Sequence, residues 1–157
     1  MAYQIDKLSV FFPCYNEEEN LENTVPKAVK VLEKLAKTWE IILINDGSKD
    51  KTGEIAEKLA KKDKRIRVIT HNPNRGYGAA FKSGFYNARY PWITFTDADG
   101  QFDFSEITKF IDKQRQTNAD LVIGYYKKRQ VSKFKILTSK MWELAVYLLF
   151  GLHIKDI

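Results

Sequence analysis

The stretch Trp39-Glu-Ile-Ile-Leu-Ile-Asn-Asp-Gly-Ser48 changes character in mid-course. It opens as a near-continuous apolar run of strand length and ends in turn formers that carry a carboxylate, Asp46. A strand this apolar is buried on both faces, the habit of a parallel sheet covered by helices. The same pattern recurs outward along the chain. Leu8–Phe12 is an apolar run stopped by Pro13, Ile66–Ile69 reads as a third strand, Trp92–Thr96 as a fourth and Asp120–Gly124 as a fifth. Helical spacing fills the gaps. It runs from Asn20 to Lys37 on Leu21, Val25, Ala28, Leu32 and Leu35, and from an Asp50 cap to about Lys62 on Ile55, Ala56 and Leu59. Two further helices are expected over Gly76–Arg89 and Ser105–Thr117. Strict alternation predicts an α/β fold, a mainly parallel sheet with helices on both faces.

Composition narrows the class. A chain of 157 residues is one domain of ordinary size, and 44% apolar content fills a core, which excludes wholesale disorder. A single cysteine, Cys14, excludes a disulfide framework and a cysteine-built zinc site. Two histidines argue against a His-rich centre, so a metal here would rest on carboxylates. No run approaches the roughly 20 apolar residues of a membrane span. The start, Met-Ala-Tyr-Gln-Ile-Asp, lacks the order of a signal peptide, and a cytoplasmic protein is expected.

The net charge of +6 is local. Between 127 and 157, seven Lys and Arg stand against Glu143 and Asp156, which places five of the six charges there. Residues 131–152 also break the strand–helix rhythm, leading from Lys-rich sequence into the apolar Met141–Phe150 and closing at Gly151. The organisation expected is a core over 1–126 and, within the same domain, a basic, amphipathic segment over 127–157.

In an open parallel sheet ligands sit beyond the carboxyl ends of the strands. Those ends deliver Pro13-Cys-Tyr-Asn-Glu-Glu-Glu19, Asn45-Asp-Gly-Ser-Lys-Asp50, His71-Asn-Pro-Asn-Arg-Gly76 and Asp97-Ala-Asp-Gly-Gln101. So many carboxylates on one edge repel unless a cation joins them. Residues i and i+2 leaving a strand aim two carboxylates, Asp97 and Asp99, at one hard cation such as Mg²⁺ or Mn²⁺, with Gln101 as a neutral third ligand. A metal held by few carboxylates completes its shell with substrate phosphates, so a nucleotide diphosphate is the natural third party.

Other chemistries fall away. Gly76-Tyr-Gly-Ala-Ala-Phe81 imitates a dinucleotide fingerprint, but it follows the third strand and Phe81 replaces the last glycine. Neither a P-loop nor a Gly-x-Ser-x-Gly elbow occurs. Cys14 reads as a buried or bystander thiol.

Taken together, Phe12-Pro-Cys-Tyr-Asn-Glu-Glu-Glu-Asn20, Ile44-Asn-Asp-Gly-Ser-Lys-Asp50, Asn74-Arg-Gly-Tyr-Gly-Ala-Ala80 and Asp97-Ala-Asp-Gly-Gln101 resemble glycosyltransferase family 2 in order and spacing. More narrowly, the chain is similar to the dolichyl/polyprenyl-phosphate sugar transferases, such as the dolichol-phosphate mannose synthases. The resemblance implies a GT-A fold, a GDP- or UDP-sugar donor and a divalent metal. It also implies inverting transfer onto a lipid phosphate, with peripheral contact at the cytoplasmic face of an anionic membrane. By position, Pro13, Tyr15 and Glu17 would surround the nucleoside, with Ile44 and Asp46 lining its base. Asp97, Ala98 and Asp99 match the diphosphate–metal loop that carries catalysis, and Gln101 a metal ligand of some members.

There are departures from the pattern. Asn45 stands where many members have a first Asp, and Tyr126 where many have an Arg, with cations following at Lys127, Lys128 and Arg129. Family members continue past a Gly-Leu-x-Ile-x-Asp segment, resembled by Gly151–Asp156, into a further basic strand. The chain therefore looks like the N-terminal part of a longer enzyme.

An acceptor phosphate is already anionic at pH 7, so the expected transfer needs no strong general base. Three alternatives stand beside this reading. One is a family 2 enzyme with a saccharide acceptor. A second is a phosphate-receiver domain, which would need a phosphoacceptor Asp after the third strand, where His71-Asn-Pro-Asn74 offers none. The third is a non-catalytic lipid- or nucleic-acid-binding module, which leaves the acidic strand ends unexplained; no nucleic-acid partner is expected.

Overall fold

A computed structural model describes residues 4–124 and 133–151 of the chain. It divides into two compact units, Met1–Thr108 and Lys109–Ile157. The first holds β1 (Ile5–Cys14), α1 (Leu21–Leu35), β2 (Ala36–Asp46), α2 (Thr52–Lys62), β3 (Ile66–His71), α3 (Tyr77–Asn87) and β4 (Trp92–Phe95). A 3₁₀ turn at Phe104–Glu106 leads into α4 (Ile107–Thr117), and α5 (Lys133–Phe150) lies in the second unit.

The four strands form one sheet in the order β3-β2-β1-β4, with every pair parallel. The crossovers through α1 and α2 run one way along the sheet and the one through α3 runs back the other way, which under the right-handed rule for parallel crossovers puts α3 on the face opposite α1 and α2. Strand alternation sorts the core accordingly. Phe11, in register with Ile42, joins Ile42, Ile44 and Ala80 of α3 in one buried cluster. Its ring meets Phe81 and Phe85 edge-on at centroid distances of 5.4 and 5.0 Å. Its neighbour Phe12 turns to the other face, towards Phe104. Burying each such ring is worth about 2–3 kcal/mol.

The expected α/β architecture is observed, with local differences. Lys51 rather than Asp50 stands at the N-cap of α2, α3 ends at Asn87 rather than Arg89, and α4 starts at Ile107 rather than Ser105. Three others have a clear physical cause. Pro13 does not stop β1. Phe11 turns its carbonyl to β4, where it accepts from the Thr96 N–H, and that ladder then ends. Pro13, two residues on, faces the same side, where no donor is needed. The helix expected to reach Lys37 stops at Leu35, because Ala36 is already extended (φ −121°, ψ 138°) and opens β2. Residues 120–124 are not the fifth strand expected; they are irregular, with Leu121 and Ile123 exposed. A short apolar run becomes a strand only against a ladder, and none is offered to it among the described residues.

In the second unit α5 leaves Met141, Trp142, Leu144, Leu148, Leu149 and Phe150 all more than half exposed. No helix among the described residues is long and apolar enough to cross a membrane. Tyr126, the cations Lys127, Lys128 and Arg129, and most of the Gly151–Asp156 segment lie outside the described residues.

Candidate functional site

Strand order reverses between β1 and β4, the place where the loops beyond an open sheet splay into a crevice. A cavity of about 500 Å³ opens there. Pro13, Tyr15, Glu17, Asp46, Asp97, Ala98 and Asp99 all line it, so residues far apart in sequence meet as expected. Ile44 does not reach the cavity; it is fully buried in the sheet two positions before Asp46. Gln101 is exposed and outside the lining, and its backbone N–H donates to Asp99 Oδ1 (2.9 Å). Cys14 lines the cavity but is inert: burial pushes its thiol well above the usual range, and its Sγ donates to the Phe12 carbonyl at 3.2 Å.

The loops after β1 and β2 interlock. Asn16 N–H donates to Ser48 Oγ (3.1 Å), Glu17 N–H to Thr52 Oγ1 (2.7 Å) and Glu18 N–H to Asp50 Oδ2 (3.1 Å). In return Lys49 N–H donates to Asn16 Oδ1 and Lys51 N–H to Glu18 Oε2, both at 2.9 Å. Asn16 sits at φ 57°, a left-handed conformation that Asn tolerates better than most residues. The clasp holds Tyr15 and Glu17 beside Asp46.

Asp46 is itself tightly held. Its Oδ1 accepts from the Arg75 N–H (3.0 Å) and faces His71 Nδ1 at 2.6 Å, while Oδ2 accepts from the Gly76 N–H (2.8 Å). Asn74 Nδ2 donates to the Asp46 carbonyl at 2.6 Å. Burial raises the Asp46 pKa, but the Arg75 N–H, the His71 ring and the Gly76 N–H outweigh it, and the carboxyl settles below its usual value. Gly47, at φ +67°, lets the β3–α3 loop approach, since a Cβ there would lie 2.5 Å from Asn74 N.

The loop after β4 carries the other two acids. Tyr77, at the start of α3, donates its hydroxyl to Asp97 Oδ1 at 2.9 Å. Asp97 and Asp99 border the same cavity, and neither is ion-paired to a Lys or Arg among the described residues. Among the described residues no three His, Cys, Asp or Glu side chains gather as a metal cluster. Two hard carboxylates bordering one cavity are the donor type that suits a Mg²⁺ or Mn²⁺ taking its remaining oxygens from water and phosphate.

Sequence reasoning assigned no role to Asn74, Gly76, Tyr77 or Ala80, which also line the cavity, nor to His71 behind it. The signal for His71 is its register opposite Asp46 on the last rung of β2–β3, a pairing that emerges only once the sheet is assembled.

Comparison with known proteins bears on all of these loops at once. Residues 9–155 match the model of glycosyl transferase family 2. The human dolichyl-phosphate beta-glucosyltransferase is 40% identical over 110 residues, 66% of this chain and 34% of that protein. An undecaprenyl-phosphate 4-deoxy-4-formamido-L-arabinose transferase of Salmonella choleraesuis is 36% identical over 146 residues, 92% of this chain and 44% of its own. The chain thus spans between a third and a half of the curated relatives it matches. Among solved structures, S. aureus TarS with UDP superposes at a TM-score of 0.60 and 20% identity, over 81% of this chain and 38% of that one. The Pyrobaculum calidifontis mannosyltransferase PcManGT with GDP-Man and Mn²⁺ gives 0.59 at 19% identity, over 83% and 38%. These neighbours share the GT-A fold that the sequence implied. Because the family match runs from β1 through every strand-end loop that builds the cavity, the chain belongs to glycosyl transferase family 2.

Proposed function

We propose that this chain is the donor-binding part of an inverting glycosyltransferase that moves a sugar from a GDP- or UDP-sugar to a polyprenyl or dolichyl phosphate. The observation that carries the reading is the convergence of Asp46 with Asp97 and Asp99 on one cavity at the switch point of the sheet. The named acceptors of the curated relatives, dolichyl and undecaprenyl phosphate, support the acceptor class. The nucleotides held by the structural neighbours support the donor class.

In this reading Asp46 accepts N–H donors of the base, and half-exposed Tyr15 lies against the nucleoside with Pro13 and Glu17. Asp97 and Asp99 hold Mg²⁺ or Mn²⁺, with Ala98 beneath the diphosphate and Gln101 at the margin. When bound, the cation supplies charge neutralisation for the departing diphosphate. The acceptor phosphate oxygen attacks the sugar C1, the bond from C1 to the diphosphate oxygen breaks, and the anomeric configuration inverts. No proton needs removal, because the acceptor phosphate is already anionic at pH 7. Residues 1–126 form the donor-binding core, and 127–157 form the face that meets the acceptor and the cytoplasmic side of an anionic membrane. The exposed apolar residues of α5 and the lysines before them support that part.

The test is calorimetric titration of UDP and GDP with Mn²⁺. Affinity falls at least about tenfold, near 1.4 kcal/mol, on Asp99→Ala or on EDTA addition. Unchanged affinity in both cases refutes the assignment. Parallel titrations with RNA and anionic vesicles separate it from a simple binding module.

A further inference from the structure

His71 closes β3 directly opposite Asp46, and both side chains are buried, at 5% and 3% exposure. The ring bridges two groups: Nδ1 lies 2.6 Å from Asp46 Oδ1, and Nε2 lies 2.8 Å from Ser83 Oγ on α3. An ionised carboxylate only accepts, so the ring proton sits on Nδ1, and in the neutral ring Nε2 accepts from the Ser83 hydroxyl. The array has the order of an acyl-transfer triad, yet Ser83 lies inside α3, whose backbone N–H groups are spent within the helix. Nothing remains beside it to stabilise an oxyanion. The ring faces the carboxylate, not a nucleophile's substrate.

Four groups fix Asp46: the ring, two backbone N–H groups and the Asn74 amide on its carbonyl. Oδ1 is doubly engaged and Oδ2 singly, so accepting capacity is left on Oδ2 of a residue that borders the cavity. We propose that His71 is a positioning residue of the nucleotide site, turning Asp46 so that Oδ2 faces the ligand, with Ser83 holding the far edge of the ring. This rests on reading the cavity as a nucleotide site.

Two amide replacements separate orientation from packing. In His71→Asn the amide nitrogen falls near the Nδ1 position and keeps a donor on Asp46. In His71→Gln it falls near Nε2 and keeps the Ser83 contact instead. Calorimetry with UDP and GDP in the presence of Mn²⁺ is expected to show the Asn variant close to wild type and the Gln variant weakened about tenfold or more, with similar melting temperatures. In ¹⁵N spectra of wild type the neutral form of the His71 ring shows protonated Nδ1 and bare Nε2, and Ser83→Ala keeps that tautomer because Asp46 sets it. Equal affinities for the two variants, equal losses in both, or a wild-type ring protonated on Nε2 overturn the role of His71 while the nucleotide site stands. A wild-type chain that binds neither UDP nor GDP overturns the proposed function and this role with it.

Discussion

The Tyr77 hydroxyl donates to Asp97 Oδ1 across 2.9 Å, joining the first turn of α3 to the loop after β4. Tyr77 also packs on Phe81, with ring centroids 4.6 Å apart, so the aromatic ring keeps its place without the hydroxyl. Tyr77→Phe is therefore expected to change stability by less than about 1 kcal/mol, because the residue is 59% exposed. Mn²⁺-dependent affinity for UDP or GDP is expected to fall about threefold to tenfold as Asp97 loses its fixed orientation. Paired melting and titration measurements check the two halves independently.

At the other end of the strands, Glu40 is a buried anchor. It accepts from Ser9 Oγ (2.7 Å), Arg67 Nε (2.9 Å) and the Arg89 N–H (2.7 Å), tying the α3–β4 connection to the sheet. Glu40→Ala leaves Arg67 without its carboxylate and Ser9 without an acceptor. Urea denaturation should show a loss of about 3 kcal/mol, with Glu40→Gln losing less.

Acid should loosen the clasp. Burial raises the Asp50 pKa, but the hydroxyl and N–H of Thr52 and the Glu18 N–H outweigh it, so the native carboxyl titrates below its unfolded value of about 3.9. A group held lower in the native state contributes stability above the unfolded pKa and loses it as pH falls through the native one. Asp46 has the same sign. Stability measured by denaturant is therefore expected to fall below about pH 4. Asp50→Asn should start less stable at pH 7 and show a shallower acid slope.

The membrane part of the proposal is tested on α5. Leu148 and Leu149 are 72% and 75% exposed, so charges placed there disturb little packing. Leu148→Glu with Leu149→Glu should reduce co-sedimentation with anionic vesicles, with circular dichroism unchanged. Wild-type binding should weaken with salt, since each Lys or Arg near an anionic leaflet contributes about 1 kcal/mol that ions screen.

The fold was legible where one local signal sufficed. Apolar runs of strand length and helical spacing marked four strands and the helices between them, because β1 and β2 are buried on both faces and the more exposed β3 and β4 pair beside them in register. Pro13 misled because its harmlessness depends on β4 ending beside it, a matter of register. Asp120–Gly124 misled because an apolar run records a capacity for pairing and not the presence of a partner. In the site, Asp46, Asp97 and Asp99 were readable as polar breaks after apolar strands. Ile44 was placed on the cavity wall by likeness and proved to be core, two residues short of the edge. His71 and Tyr77 stayed silent, since their roles depend on Asp46 and Asp97, residues 25 and 20 positions away.

The five hydrogen bonds exchanged between residues 16–18 and 48–52 have a consequence for redesign. Each loop has turns of its own, Glu17 to Asn20 in one and Asn45 to Ser48 in the other, and each also braces its neighbour. A substitution in Asn16 shifts Ser48 and Lys49, and through them the turn that presents Asp46. Altering the ligand preference proposed for this crevice is thus a two-loop problem, since a change on one side removes hydrogen bonds that hold the other. Pairs drawn from both sides should depart from additivity, with compensating partners found only when the two segments vary together.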